Sequence, residues 1–95
     1  MDKKNLIKEI TRILNKNIPK NFKFFLFGSW AKGNALPTSD LDIAILGPTK
    51  VPAKVLLSIK EQIDNLPTLR QIDIVDLNSV DESFKENVLQ SAKIL

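Results

Sequence analysis

The sequence predicts a small α/β or α+β fold, in which helices pack on one mixed sheet of three to four strands. Two observations lead to this fold class: apolar residues recur at helical spacing in three segments, and three short apolar runs of strand length lie between them. With 95 residues and an ordinary hydrophobic content of 43%, the chain has enough apolar material for one core. We therefore expect a single domain over residues 1–95.

The first element is predicted to be a helix, because Leu6, Ile10 and Leu14 recur every four residues along one stripe. Pro19 ends this pattern, since proline lacks a backbone donor. The aromatic run Phe24–Phe27 then has the length and composition of a strand that is covered on both faces.

A loop with one helical turn at residues 29–32 is expected to follow, because residues 28–39 contain glycine, proline and small polar side chains. Leu41–Leu46 is predicted as the second strand. A second helix is expected to start near Pro52 and to stop at Pro67.

The third predicted strand is Ile72–Leu77, and a last helix follows it. Phe84 and Val88 lie four residues apart on that helix, and Ser79 with Glu82 has the spacing of a capping box. The predicted order is therefore α-β-β-α-β-α, with helices packed on a short sheet.

The composition excludes several kinds of chemistry. The chain contains neither cysteine nor histidine, which excludes disulfides, thiolate or imidazole metal ligands and a catalytic thiol or imidazole. A bound metal must therefore be held by oxygen, and a proton must move through a carboxylate, a lysine or water. We expect a cytoplasmic protein, because no apolar run reaches the ~20 residues of a membrane span and the first residues do not resemble a signal peptide.

Charge is unevenly distributed along the chain. Residues 1–32 carry eight basic and two acidic side chains (+6), whereas residues 33–95 carry six and nine (−3). The basic residues of segment 1–32 can bind phosphate or an acidic partner, or they can simply form a solvated helix face.

Three aspartates form the candidate catalytic and metal-binding set. Asp40 and Asp42 are expected to project from one face of the second strand near its start, and Asp73 from the third strand beside them if the two strands are neighbours. Carboxylates held this close repel one another, and a divalent cation such as Mg²⁺ resolves the conflict. An Asp-x-Asp pair on its own would more simply be a solvated strand end.

A second candidate group follows the first strand directly. Gly28 allows close approach of the backbone, Ser29 offers a hydroxyl donor, and Lys32 can neutralise phosphate charge. Trp30 either stacks on a base or forms part of the core. Taken singly, a Gly-Ser pair is more often only a turn, and the Walker pattern is missing.

The combination is more specific than its parts. In LFGSWAKGNALPTSDLDIAIL, ten residues separate Gly28-Ser29 from Asp40-x-Asp42, and QIDIVDL places Asp73 in the next strand. This arrangement resembles the nucleotidyltransferase superfamily that includes DNA polymerase beta. The small size of the chain is similar to that of proteins in the minimal nucleotidyltransferase (MNT) branch of this superfamily. Members of that branch often act as antitoxins of HEPN-domain ribonuclease toxins.

The resemblance implies a polymerase beta-like fold and a role for each candidate. Gly28 and Ser29, helped by Lys32, would bind the phosphates of ATP or another nucleoside triphosphate, and Asp40 and Asp42 would bind two Mg²⁺ ions. Asp73 would complete the second metal site and help activate an acceptor hydroxyl, which attacks the α-phosphate and releases pyrophosphate. Lys32 stands where relatives often carry arginine, so the bidentate phosphate contact is lost there.

The resemblance also implies a partner. Larger relatives have an acceptor-binding domain that this sequence lacks, so we expect a HEPN-domain protein to present the hydroxyl, in a hetero-oligomer or homo-oligomer. The expected activity is transfer of AMP from ATP to that partner. Two alternatives stay open: an antitoxin that acts by binding alone, and a nucleic-acid-binding domain that uses the basic first helix, although the aromatic platform for the latter is missing.

Overall fold

A computed structural model describes residues 2–33, 36 and 39–95. Part of the predicted loop, residues 34, 35, 37 and 38, lies outside the described residues. The elements follow in the order α1 Lys3–Asn17, β1 Lys23–Phe27, α2 Ser29–Lys32, β2 Leu41–Leu46, α3 Ala53–Asp64, β3 Ile72–Asp76, α4 Glu82–Ser91 and β4 Lys93–Ile94.

The described strands form one mixed sheet in the order β3-β2-β1-β4. β1 is antiparallel to both β2 and β4, whereas β2 and β3 run parallel, as expected for strands joined by a crossover helix such as α3. The predicted elements are confirmed. The sequence predicted three to four strands, and the fourth is the short edge strand β4.

The two faces of the sheet are covered differently. One face, called here the core face, packs against α1 and α3, and its residues Leu41, Ile43 and Ile45 on β2 are fully buried. The opposite face, called here the open face, carries Ala44 and half-buried aromatic and apolar side chains beneath α4. Helix α4 buries only Val88 completely, so it covers the open face less fully than α1 and α3 cover the core face.

The helix boundaries follow from local chemistry. Asp2 caps α1 by accepting a hydrogen bond from the Asn5 amide at 2.8 Å. The capping box predicted at Ser79 is wrong: α4 begins two residues later, where the Asp81 carboxylate accepts from the Phe84 amide at 2.7 Å. Asp81 offers a charged cap, whereas the Ser79 hydroxyl donates to Asp76 in the turn after β3.

Candidate active site

Two of the predicted carboxylates meet on the open face of the sheet. Asp42 of β2 and Asp73 of β3 are paired in register, so their side chains leave neighbouring parallel strands on the same side. Their carboxyl groups are within hydrogen-bonding reach of each other. The structure therefore brings together the two residues that the sequence placed on separate strands.

Burial raises the pKa of the Asp42 carboxyl, and the nearby charges of Asp73 and Asp40 and a hydrogen bond to Asp73 raise that pKa further. The ionised form of Asp42 is thus held in a place that disfavours its charge. A divalent cation bound between the carboxylates would remove that penalty, because opposite charge favours ionisation.

Asp40 lies immediately before β2 and is exposed. It is close enough to raise the pKa of Asp42 by charge, and the Leu41 amide that follows it donates to the Gln71 carbonyl at 2.9 Å. In the described parts of the chain, no three acidic side chains are gathered as a ready-made metal site. The donor set still fits a hard divalent cation, since Asp42 and Asp73 offer adjacent oxygens with unfavourable mutual repulsion.

Gly28 ends β1 directly against Asp42. Its φ of 74° and ψ of −153° belong to a region that only glycine adopts readily, and it forms the N-cap of α2. A Cβ atom at this position would collide with the Asp42 carboxylate. The glycine is therefore required both by the turn and by the space that Asp42 occupies.

The other residues of the predicted phosphate-binding group lie on α2. Ser29 begins this four-residue helix and is half-buried, and Lys32 ends it and is exposed. The helix follows the glycine turn beside Asp42, so the predicted nucleotide-binding and acidic residues belong to one region of the surface.

Trp30, also on α2, packs partly against the core, and its indole Nε1 donates to the Ser39 carbonyl at 3.2 Å. The Lys3 ammonium nitrogen lies 4.6 Å from the ring centroid, and the Arg70 guanidinium carbon lies 4.8 Å from it. Because these contacts engage the ring, Trp30 is not the free stacking platform that a single-strand nucleic-acid binder needs.

Asp76 does not belong to the acidic group. It faces the core side of the sheet, is only 4% exposed, and accepts hydrogen bonds from the Val51 amide at 2.7 Å and the Asn78 amide at 3.0 Å. Asp76 therefore connects the turn after β3 to the segment before α3.

Two residues near the carboxylates were missed by the sequence reasoning. The Gln71 side-chain amide donates to Asp73 Oδ1 at 3.4 Å, and Phe27 is in register with Asp42 on the other side of β2. Phe27 also contacts Phe84 of α4 edge-on, with ring centroids 6.3 Å apart. The period of two along β3 places Gln71 and Asp73 on one face, so this signal was available for Gln71.

None of the helices in the described residues is both long enough and apolar enough to span a membrane.

Comparison with known proteins agrees with this arrangement. The model of the family described as "Polymerase beta, Nucleotidyltransferase" matches residues 8–95. The protein adenylyltransferase MntA of Shewanella oneidensis is 29% identical over 87 residues, which cover 92% of this chain and 62% of that protein. The chain thus spans less than two thirds of the length of this curated relative.

Solved structures share the fold. A crystal structure of a toxin–antitoxin with AMP-PNP is 27% identical, with a TM-score of 0.69 over 97% of this chain and 71% of the matched chain. A structure of a tri-AMPylated Shewanella oneidensis HEPN toxin in complex with its MNT antitoxin is 24% identical, with a TM-score of 0.72 over 96% and 69%, a likeness that concerns the fold alone. The fold class predicted from the sequence is confirmed.

Proposed function

Because the chain belongs to the polymerase beta nucleotidyltransferase family, we propose that it transfers a nucleotidyl group, AMP from ATP, to a hydroxyl on a partner toxin protein, with release of pyrophosphate. The observation that carries the proposal is the pairing of Asp42 with Asp73 in register, directly beside the Gly28 turn. The 29% identity to a protein adenylyltransferase supports AMP as the transferred group.

Asp40, Asp42 and Asp73 are proposed to hold Mg²⁺, as two ions when nucleotide is bound. When bound, Mg²⁺ neutralises phosphate charge and stabilises the attacking and leaving oxygens. The chain supplies oxygen ligands only, which suits this ion, and burial followed by repulsion from Asp73 and Asp40 raises the pKa of Asp42, a penalty that a bound cation would relieve.

The residues around Gly28 are proposed to bind the triphosphate. The Gly28 backbone lies close to Asp42, the Ser29 hydroxyl can donate to a phosphate oxygen, and Lys32 adds positive charge. Binding here orients the α-phosphate toward the carboxylates. Such positioning and charge neutralisation account for most of the catalysis in phosphoryl transfer.

The reaction forms one bond and breaks one. The acceptor oxygen bonds to the α-phosphorus while the bond from that phosphorus to the bridging oxygen of the β-phosphate breaks, and the electron pair leaves with pyrophosphate. Asp73 is proposed to orient the acceptor hydroxyl and receive its proton, because no histidine is present to do so.

A HEPN-domain toxin is proposed as the partner that presents the hydroxyl. The toxin–antitoxin structure with AMP-PNP, which is 27% identical to this chain, supports a toxin as the partner, and the HEPN class is what the resemblance of the sequence implies. ATP as the donor agrees with the cytoplasmic location expected from the sequence.

One observation favours a second candidate function, an antitoxin that neutralises its toxin by binding while its own site is slow or idle. Asp40 is exposed, and among the described residues no three acidic side chains are gathered for a metal. An antitoxin of this kind would suppress its toxin without modifying it.

Intact-mass measurement separates the two functions. The chain and a candidate HEPN partner, sought among the products of the neighbouring genes, are purified and mixed with ATP and Mg²⁺, and the mass of the partner is measured. The proposed function predicts a gain of one or more AMP units that is lost with EDTA and with Asp42→Asn, but kept with Glu61→Gln, an exposed acidic residue of α3. Suppression of toxicity with no mass gain supports the second candidate and contradicts the first.

A further inference from the structure

The backbone on both sides of Asp40 is held by hydrogen bonds from outside its own segment. The Ser39 carbonyl, which belongs to the peptide unit before the Asp40 Cα, accepts from the Trp30 indole at 3.2 Å. The Leu41 amide, which belongs to the unit after it, donates to the Gln71 carbonyl at 2.9 Å. Because a peptide unit is planar, fixing both units restricts both backbone torsions of Asp40.

These two hydrogen bonds differ in origin. The bond from Leu41 is the first of the parallel pairing between β2 and β3, so it is expected for any neighbouring strands. The bond to Ser39 comes from a side chain on α2, nine residues earlier. Asp40 precedes β2, so among the described residues no strand pairing replaces the indole bond if it is lost, and the Ser39 amide donates within the loop, to the Leu36 carbonyl at 3.0 Å.

The indole ring is itself held from several directions. It packs against the core cluster, and the Lys3 and Arg70 side chains lie over it at 4.6 and 4.8 Å. These residues belong to the start of α1 and to the segment that leads into β3. The position of the indole N–H is therefore set by the body of the fold rather than by the loop that it binds.

We infer that Trp30 is a positioning residue that holds Asp40 beside Asp42 for metal binding. The inference rests on the proposed function, in that Asp40 is taken as a metal ligand. Trp30 acts through the Ser39 carbonyl and needs no contact with nucleotide or metal. Asp40 directly precedes β2 and Asp42 is the second residue of that strand, so the backbone torsions of Asp40 determine where its carboxylate lies relative to that of Asp42.

The test replaces the indole N–H alone. The sequence contains one tryptophan, so growth of a tryptophan auxotroph on benzothienylalanine changes only Trp30, to a ring of nearly the same shape with sulfur in place of N–H. Mn²⁺ binding is then measured by electron paramagnetic resonance in the presence of AMP-PNP. Loss of one hydrogen bond is expected to weaken Mn²⁺ binding about threefold to tenfold.

A second arm asks whether the effect passes through Asp40. In an Asp40→Asn background, the same replacement should no longer change Mn²⁺ affinity, whereas a general structural effect would persist. If the protein that contains benzothienylalanine does not fold, Trp30→Phe takes its place in the test. Phenylalanine keeps an aromatic ring but has no donor, so this variant should show the same weakening of Mn²⁺ binding. AMP transfer should lose rate at limiting Mg²⁺ and recover at high Mg²⁺, with the KM for ATP nearly unchanged.

Unchanged Mn²⁺ affinity after the replacement overturns the inference and leaves the proposed function standing. An equal weakening in the Asp40→Asn background also overturns it, because Trp30 would then act without Asp40. Weakened Mn²⁺ binding in a protein that never transfers AMP supports the inference and contradicts the transferase activity. Absence of Mn²⁺ binding by the unmodified protein contradicts both.

Discussion

The two faces of the sheet serve different purposes, and neighbouring residues of β2 show the contrast. Ile43 points into the core face and is fully buried beneath α1 and α3. Asp42, one residue earlier, points to the open face, where burial and nearby carboxylates disfavour its charge. The core face therefore buries more of its apolar residues, whereas the open face holds a carboxylate whose charge is unfavourable there, at the position of the proposed site.

Asp42→Asn, on the open face, is expected to have the largest effect on AMP transfer. It should lower AMP transfer by two or more orders of magnitude, because a metal ligand stabilises the transition state by several kcal/mol. The metal-free protein should unfold at the same or a higher temperature, since the unfavourable charge is removed. Transfer rate and thermal unfolding of the same preparation check both parts, and retained transfer would contradict the role of Asp42.

Ile43→Ala tests the core face from the adjacent position. Truncation of this fully buried side chain should lower the free energy of unfolding by about 3 kcal/mol, through lost burial and a cavity. Urea unfolding measures the loss. The folded fraction should still transfer AMP, in contrast to Asp42→Asn, and a specific activity loss beyond unfolding would show that the faces are coupled.

Gly28→Ala disturbs the boundary between β1 and the site. The positive φ is unfavourable for alanine, and its Cβ would collide with the Asp42 carboxylate. The rate of transfer should therefore fall about tenfold and the free energy of unfolding by about 1 kcal/mol.

Gly33→Ala is the matched control for this change, because Gly33 also has a positive φ of 79°. Among the described residues, nothing lies within 4 Å of a Cβ built there. Gly33→Ala should lose less stability than Gly28→Ala, because Gly33 lies in the left-handed helical region (ψ 10°) and has space for a Cβ, and it should keep transfer. Equal activity loss in the two variants would show that backbone strain, and not contact with Asp42, is responsible.

The smallest expected effect is the pH dependence of stability, because Asp42 is only partly buried. Folding raises the pKa of Asp42, so the folded state binds the proton of this carboxyl more tightly than the unfolded state. The contribution of Asp42 to the free energy of unfolding is therefore greatest below its ordinary pKa of about 3.9 and is lost as pH rises through the raised pKa. Urea unfolding in EDTA should show this loss in the wild type but not in Asp42→Asn. Added Mg²⁺ at neutral pH should restore it in the wild type only, and parallel pH profiles of the two proteins would contradict the assignment.

Local patterns determined much of this protein from the sequence. The period of two placed Asp42 and Asp73 each on a defined side of its strand, and helical stripes located α1, α3 and α4. The Gly28-Ser29 and Asp-x-Asp motifs indicated the family correctly. Residues 1–95 as a single domain, the oligomeric state and the chemical roles of the site residues stay predictions.

Only the tertiary structure decided which local features meet. Strand order and register put Asp42 opposite Asp73, and sequence spacing cannot reveal this because α3 and its flanking loops separate the two strands. The same holds for the Trp30–Ser39 bond, the burial of Asp76 against the Val51 amide, and β4, whose two residues carry no strand pattern. A short-range pattern specifies the side on which a residue lies, whereas its partner depends on how distant segments pack into one core.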